Sequence, residues 1–448
     1  MRELLTDAAV RAIRYLEDLN ERSVAPDPAV VARLAELAGP LPAGPSAADE
    51  TLALLDAYGA ATMATAGPRF FGFVIGGVLP AALAANWLAG AWDQNAALAE
   101  VTPLPARLER IALGWLCDVL GLPPETGVGF VTGATMANFT CLAAARHAVL
   151  KQAGWDVEAD GMFGAPPVTV VVGEEAHSTL FKSLGLAGFG RNRVVRVPVD
   201  GQGRMRADAF PELSGPTIVC LQAGNVNTGA FDPASQIIPK AKAANAWVHV
   251  DGAFGLWAAA TPQKAHWMAG YADADSWATD AHKYLNTPYD SGLAFVRFPD
   301  VLRAAMSVSA AYLPASESGD PANFTPELSR RARGIEVWAA LHSLGRSGLA
   351  DLVERTCRYA VCFADGLRAA GYTILNEVVF NQVLVTFGSD ERTRRVIAGI
   401  QQDGTCWCGG TIWQGQVAMR ISVSSWATTD ADVERSLQAM IRVAREQA

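Results

Sequence analysis

The residues with the clearest chemical potential lie in Tyr271 to Gly292, YADADSWATDAHKYLNTPYDSG, centred on Lys283. This lysine stands between His282 and Tyr284, just after the strand-like run Ser276, Trp277, Ala278, Thr279. A lysine amine forms an imine with an aldehyde only when part of its population is unprotonated, and desolvation or a cationic neighbour lowers its pKa toward that condition. Upstream, Trp247-Val248-His249-Val250-Asp251-Gly252-Ala253 reads as an apolar strand ending in Asp and Gly. That pattern sets the Asp251 carboxylate at the carboxyl end of a sheet, where open α/β folds hold their ligands.

Pyridoxal phosphate uses both groups, a lysine for its aldehyde and an acid that keeps its pyridine nitrogen protonated so that the ring can accept electrons. A place for its phosphate precedes them. In FVTGATMANFTCLAAAR, Gly133 permits a tight turn into a helix, and the first N–H groups of that helix, at Ala134 and Thr135, form an anion site with the Thr135 hydroxyl. The same Gly-x-Thr spacing also reads as a plain helix cap. The β-branched run Val168 to Val172 reads as a buried parallel strand and leads into Glu174-Glu175-Ala176-His177. There a planar imidazole can hold a ring and assist proton movement, or simply begin a helix.

Taken together, DAHKYLN, HVDGAF, EEAHSTLFKSLGLAG and FVTGATMANFTCLAAAR resemble the pyridoxal-phosphate-dependent group II amino-acid decarboxylases, the aromatic-L-amino-acid and glutamate decarboxylase family. The similarity runs from about Phe70 to the C-terminus. It implies an α/β architecture of the PLP-dependent transferase-like fold type I: a large domain on a mostly parallel seven-stranded sheet, an N-terminal helical segment, and a small C-terminal α+β domain. It also implies a homodimer with a shared active site, its N-terminal helices lying against the other subunit. The resemblance assigns catalysis to Lys283, Asp251 and His177, with His177 stacked on the pyridine face, and adds Ala253, Gly133, Ala134, Thr135 and His282 as cofactor contacts. Asn227, in the loop Ala223 to Asp232, reads equally as a contact to the cofactor's phenolic oxygen and as a structural cap. Phe73, Val74 and Ile75, in Gly67 to Gly77, resemble the wall of the substrate side-chain pocket and also read as core. Arg420, in Met419-Arg420-Ile421-Ser422-Val423, is a further pocket candidate.

Two departures bear on the reaction. The family often has Asn two residues before the motif histidine, where this chain has Asp280. The resembling enzymes also carry a catalytic-loop tyrosine that protonates the substrate carbon after carbon dioxide leaves; here no tyrosine occurs between Tyr312 and Tyr359. Its loss in the family accompanies oxidative production of an aldehyde in place of an amine. The expected activity is decarboxylation of an L-amino acid, aromatic or apolar. The rivals are a decarboxylating aldehyde synthase, a transaminase or retro-aldol lyase on the same fold, and a silent scaffold.

These residues need a scaffold that brings strand ends together. Runs at Val194 to Val199, Thr217 to Leu221 and Trp247 to Val250 alternate with helical stretches, including Arg206 to Leu213 and Pro233 to Asn245, as a parallel sheet with right-handed crossovers requires. The expected divisions are a helical segment over 1–66, a cofactor-binding domain over 67–300, a catalytic-loop region and connecting helix over 301–348, and a small domain over 349–448. Among the arginines of Phe324 to Arg333, the readings are fixing the loop, holding a carboxylate across the dimer, or simple solvation.

The 448 residues carry a formal net charge of -9, and half of them are hydrophobic. A chain of this size and composition buries a large core, and its acidity argues against nucleic-acid binding. The charged, amphipathic start does not read as a signal peptide, and the apolar stretch Gly76 to Trp92 is interrupted by Gly, Pro and Asn, so no membrane role and a cytoplasmic location are expected. The seven cysteines form no metal-ligand or redox pattern, so no metal is expected.

Overall fold

A computed structural model describes residues 1–307 and 319–447. The expected catalytic loop at Ala304 to Asn323 therefore falls partly outside the described residues, and Tyr312 lies outside them. The described chain forms two compact units: Met1–Gly77 with Tyr359–Leu375 and Val383–Ala448, and Val78–Arg358 with Asn376–Gln382.

The larger unit is built on a seven-stranded sheet. Its strands are β1 (Gly127–Val131), β2 (Thr169–Gly173), β3 (Val194–Val197), β4 (Thr217–Gln222), β5 (Trp247–Asp251), β6 (Ser276–Asp280) and β7 (Gly292–Val296). They are arranged β1-β7-β6-β5-β4-β2-β3. Only β7 runs against its neighbours, pairing antiparallel with both β1 and β6. Every residue of β5, β6 and β7 is buried, as continuous apolar strands covered on both faces require. The helix Ala134–Gln152 lies along one face, burying Ala137, Cys141, Leu142 and Ala145 in the same cluster as Val170, Val172, Ala278 and Ala294. In a parallel sheet the carboxyl ends of β5 and β6 lie at one edge, and Asp251 and Asp280 are the last residues of those two strands.

The expected helix at Arg206 to Leu213 does not form. Met205 instead bridges back to Val199, and its backbone N–H donates to Asp232 Oδ1 at 2.7 Å. A buried carboxylate that satisfies both this N–H and that of Gln222 outweighs the weak local helix propensity of a segment with Pro211 inside it. Between Gly334 and Ala369 two helices meet at a break at Gly345, whose φ is +60°.

The smaller unit joins both ends of the chain. Arg11 and Arg14 of Arg2–Glu17 pair with Asp56 of Ala48–Ala57 at 2.7 Å each. Arg69, 2 % exposed, donates to the carbonyls of Asn20 and Thr405 and pairs with Asp432. A four-stranded antiparallel sheet follows the order β10-β11-β9-β8, with β8 at Thr373–Ile374, β9 at Gln382–Thr386, β10 at Gly409–Trp413 and β11 at Gln416–Ser422. Trp407 stacks on Phe70, with ring centroids 5.1 Å apart, and on Phe73. No helix among the described residues is long and apolar enough to cross a membrane.

Candidate active site

A cavity of about 310 Å³ opens in the larger unit at the ends of β5 and β6. Asp251, Ala253, His282 and Lys283 line it on one side, and Gly133, Ala134, Thr135 and His177 complete the set of expected residues around it. The expected residue not brought to this wall is Asn227, which is buried and whose backbone N–H donates to Asn225 Oδ1 at 2.9 Å. Phe73, Val74, Ile75 and Arg420 belong to the smaller unit.

The sequence builds this cavity through one close approach. A side chain on Gly292 would overlap the backbone of Gly133, with its Cβ 2.4 Å from the Gly133 Cα, so the turn into Ala134–Gln152 can lie directly against the start of β7 only because that position is glycine. The turn then faces Asp280 and His282. The Ala134 N–H donates to Asp280 Oδ1 at 2.6 Å, Lys283 Nζ lies 3.0 Å from Asp280 Oδ2, and His282 Nε2 lies 3.3 Å from Asp280 Oδ1. The Ser291 N–H donates to His282 Nδ1 at 3.1 Å, which leaves the ring proton on Nε2. Burial holds the His282 imidazole below its ordinary pKa despite the Asp280 charge.

At the other end of the site Asp251 is 4 % exposed. Burial pushes its carboxyl above the usual carboxylate range, opposed by the charges of His177 and Lys283 and by the Asn138 amide and Ala253 N–H. His177 does two things at once: it caps Ser178–Leu186, accepting the Thr179 N–H at Nδ1, and it lines the cavity. The Thr179 hydroxyl lies 2.7 Å from the same nitrogen. Lys283 Nζ also lies 5.9 Å from the centroid of the Phe254 ring.

Sequence reasoning left the role of Asp280 open and passed over Thr179, Gln222 and Phe254, all of which line the cavity. The place of Asp280 at the end of β6 was the available signal. Nothing in the sequence marked Tyr289, whose ring stacks on His282 at 4.2 Å. Of the readings open for the arginines of Phe324 to Arg333, solvation does not hold at Arg330, which is 6 % exposed and forms a bidentate pair with Glu109 at 2.7 and 2.8 Å. Arg331 and Arg333 pair with Asp290.

The donor set fits pyridoxal phosphate. An amine, a buried carboxylate beside an imidazole, and a helix start with His282 next to it answer the aldehyde, the ring nitrogen and the phosphate, in a cavity within the size range of small-molecule sites. Comparison with known proteins agrees with this chemistry. Residues 54–388 match the model of the pyridoxal-dependent decarboxylase conserved domain, so the chain belongs to that family. It is an amino-acid carboxy-lyase, and its cofactor is pyridoxal phosphate. The chain is 28 % identical to tryptophan decarboxylase 1 of Oryza sativa subsp. japonica over 403 residues, which are 80 % of this chain and 77 % of that protein. It is 27 % identical to L-2,4-diaminobutyrate decarboxylase of Rhizobium meliloti over 386 residues, 82 % of this chain and 75 % of that one. Among solved structures, Oryza sativa TDC with PLP and tryptamine superposes with a TM-score of 0.90 at 24 % identity, over 99 % of this chain and 97 % of that one. Rhodiola rosea 4-hydroxyphenylacetaldehyde synthase gives 0.85 at 20 % identity, over 100 % and 98 %.

Proposed function

We propose that this chain decarboxylates an aromatic or apolar L-amino acid with pyridoxal phosphate held on Lys283. The convergence of Lys283, Asp251, His177 and the helix start at Ala134 on one cavity carries the reading. The bound cofactor supplies a ring that accepts the electrons released when the bond to the carboxylate breaks. Lys283 holds its aldehyde. Asp251, enclosed and opposite in charge to a protonated pyridine, keeps that nitrogen protonated. His177, whose Nδ1 accepts the Thr179 N–H, would lie against the cofactor ring, as the resemblance implies. Ala134, Thr135 and His282 hold the phosphate.

The aromatic preference rests on the resemblance of Phe73, Val74 and Ile75 to the family's pocket wall and on the relatives. Phe73 is 62 % exposed and stacks on Trp407, and both Phe73 and Val74 adopt left-handed φ values, +53° and +60°. Strained backbone of this kind concentrates at functional sites, and Val74 is a β-branched residue, for which the conformation is most unfavourable. Arg420 is read as the partner of a substrate carboxylate; burial lowers its guanidinium pKa to about 10, which favours a binding partner of opposite charge. A rice relative acts on tryptophan by its name, and the chain's similarity to a diaminobutyrate enzyme makes the substrate panel broader than aromatics.

A second reading, aldehyde formation, is favoured by the absence of tyrosine between Tyr312 and Tyr359 and by the likeness in fold to an aldehyde synthase. A homodimer is favoured by apolar side chains exposed on the N-terminal helices, including Leu5, Val10, Ile13, Leu54 and Leu55. The seven free cysteines favour a reducing, cytoplasmic compartment.

Aerobic incubation with a panel of L-amino acids, assayed together for amine, aldehyde, carbon dioxide and peroxide, tests the proposal. Amine with carbon dioxide supports the first reading, and aldehyde with peroxide the second. Amino-group transfer without carbon dioxide from any substrate would overturn both.

A further inference from the structure

The Ala134 N–H belongs to the first turn of Ala134–Gln152, where a helix has donors free for an anion, and Asp280 Oδ1 accepts from it at 2.6 Å. Resting on the reading that the cofactor phosphate binds at this turn, we propose that Asp280 is a built-in anionic competitor for that phosphate, so that cofactor loading favours the less charged phosphate and weakens as pH rises. The carboxylate takes one of the donors that a phosphate needs and adds a negative charge beside it.

The groups facing Asp280 leave little to cancel that charge. Lys283 Nζ lies 3.0 Å from Asp280 Oδ2, and it is the group committed to the aldehyde once the cofactor binds. His282, at 3.3 Å, is held toward its neutral form by burial. Tyr289, stacked on His282, has its phenol pushed up to about 12 by burial and by Asp280 itself, so it stays uncharged. From the helix, the Ala134 N–H donates to the carboxylate, and Trp257 donates to the Asp280 backbone oxygen rather than to its side chain. Asp290, beyond His282, is paired with Arg333 and Arg331, so those guanidinium groups are already engaged. A phosphate monoester loses its second proton near pH 6. Above that pH, a dianion and the Asp280 carboxylate share one buried turn, and two like charges at such range repel strongly in a poorly solvated site.

Pyridoxine 5′-phosphate, which carries the phosphate and ring but no aldehyde, isolates this effect from attachment to Lys283. Its binding to the full-length wild-type protein and to Asp280→Asn would be measured calorimetrically between about pH 5.5 and 8.5, a range that brackets phosphate ionisation. The expected result is that the wild-type Kd rises across this range, while Asp280→Asn binds about tenfold tighter or more at the alkaline end. The gap should narrow at the acid end. Asp280→Ser, which is shorter and uncharged, should move in the same direction if the amide variant folds poorly by circular dichroism. Coincident curves, or weaker binding by a folded variant throughout, would overturn this proposal alone, provided the wild type still takes up pyridoxal phosphate in borohydride-reducible form. Failure of the wild type to take it up would overturn the cofactor assignment to Lys283 and this proposal with it.

Discussion

His249 Nε2 donates to Asn138 Oδ1 at 2.8 Å, tying the strand that ends in Asp251 to the helix that begins at Ala134. The rest of the imidazole is satisfied by a directional chain: the Trp247 indole N–H donates to Ser276 Oγ at 2.9 Å, and that hydroxyl donates to His249 Nδ1 at 2.9 Å. The strand and the helix that supply the two ends of the candidate site are thus joined by neutral, buried groups. Burial lowers the His249 pKa from 6.5 to about 3.

That shift makes acid destabilising. Between about pH 6.5 and 3 the unfolded chain binds a proton at His249 that the folded chain refuses, so stability is intact above this window and declines as pH falls through it. The slope from this residue approaches about 1.4 kcal/mol per pH unit. Denaturant unfolding at a series of pH values should show His249→Asn less stable than wild type at neutral pH but with a shallower loss in acid. Parallel slopes would mean that another group dominates.

Lys283 and Asp251 separate attachment from turnover. Lys283→Ala should fold, since the side chain is partly exposed and its ion pair is with Asp280, yet borohydride should fix no cofactor to it, and turnover should fall by at least about a thousandfold. Asp251→Asn should still accept the cofactor on Lys283 while losing roughly 10²- to 10⁴-fold in rate. Mass spectrometry after reduction, with product assays on the same samples, distinguishes the two.

The Glu109–Arg330 pair is enclosed, with side chains 8 % and 1 % exposed. Burial raises the Glu109 pKa and the Arg330 charge opposes that rise. Removing the guanidinium in Arg330→Met strands a buried carboxylate and should cost about 3–5 kcal/mol in denaturant unfolding. Adding Glu109→Leu to that variant should recover much of the loss. A single variant as stable as wild type would show that Glu109 already folds protonated.

Gly72 faces the Trp407 ring so closely that a Cβ would lie 2.3 Å from one of its carbons. Gly72→Ala should therefore displace Trp407 from Phe70 and Phe73, lower stability by about 1–3 kcal/mol, and change the near-ultraviolet circular dichroism of the indole. If Phe73 and Val74 touch substrate as proposed, KM should shift more than kcat.

What the sequence made legible was whatever depends on residue type at fixed spacing. The apolar runs at Thr169–Gly173 and Trp247–Asp251 announced parallel strands, and Gly133, His177, Asp251 and Lys283 announced a cavity at their ends. What it hid depends on partners distant in the chain. Arg206 to Leu213 reads as a helix until Asp232 takes the Met205 N–H. Arg330 reads as solvated until Glu109, 221 residues away, meets it. Asp280 reads as a misplaced acid until the turn at Ala134 is seen to donate to it.

The smaller unit has a consequence for how the protein is made. Arg69 fastens Asn20 to Thr405 and Asp432, so a ribosome delivers the first half of that unit long before the second. At about 5–20 residues per second, Gly77 waits roughly 15–60 s for Tyr359 to be synthesised. Throughout that interval Phe70, Val24 and Leu19 lack Trp407, the side chain that packs against their cluster. The nascent amino terminus thus waits with part of its apolar cluster uncovered, and fusions or truncations at the carboxyl end should be felt at the opposite terminus.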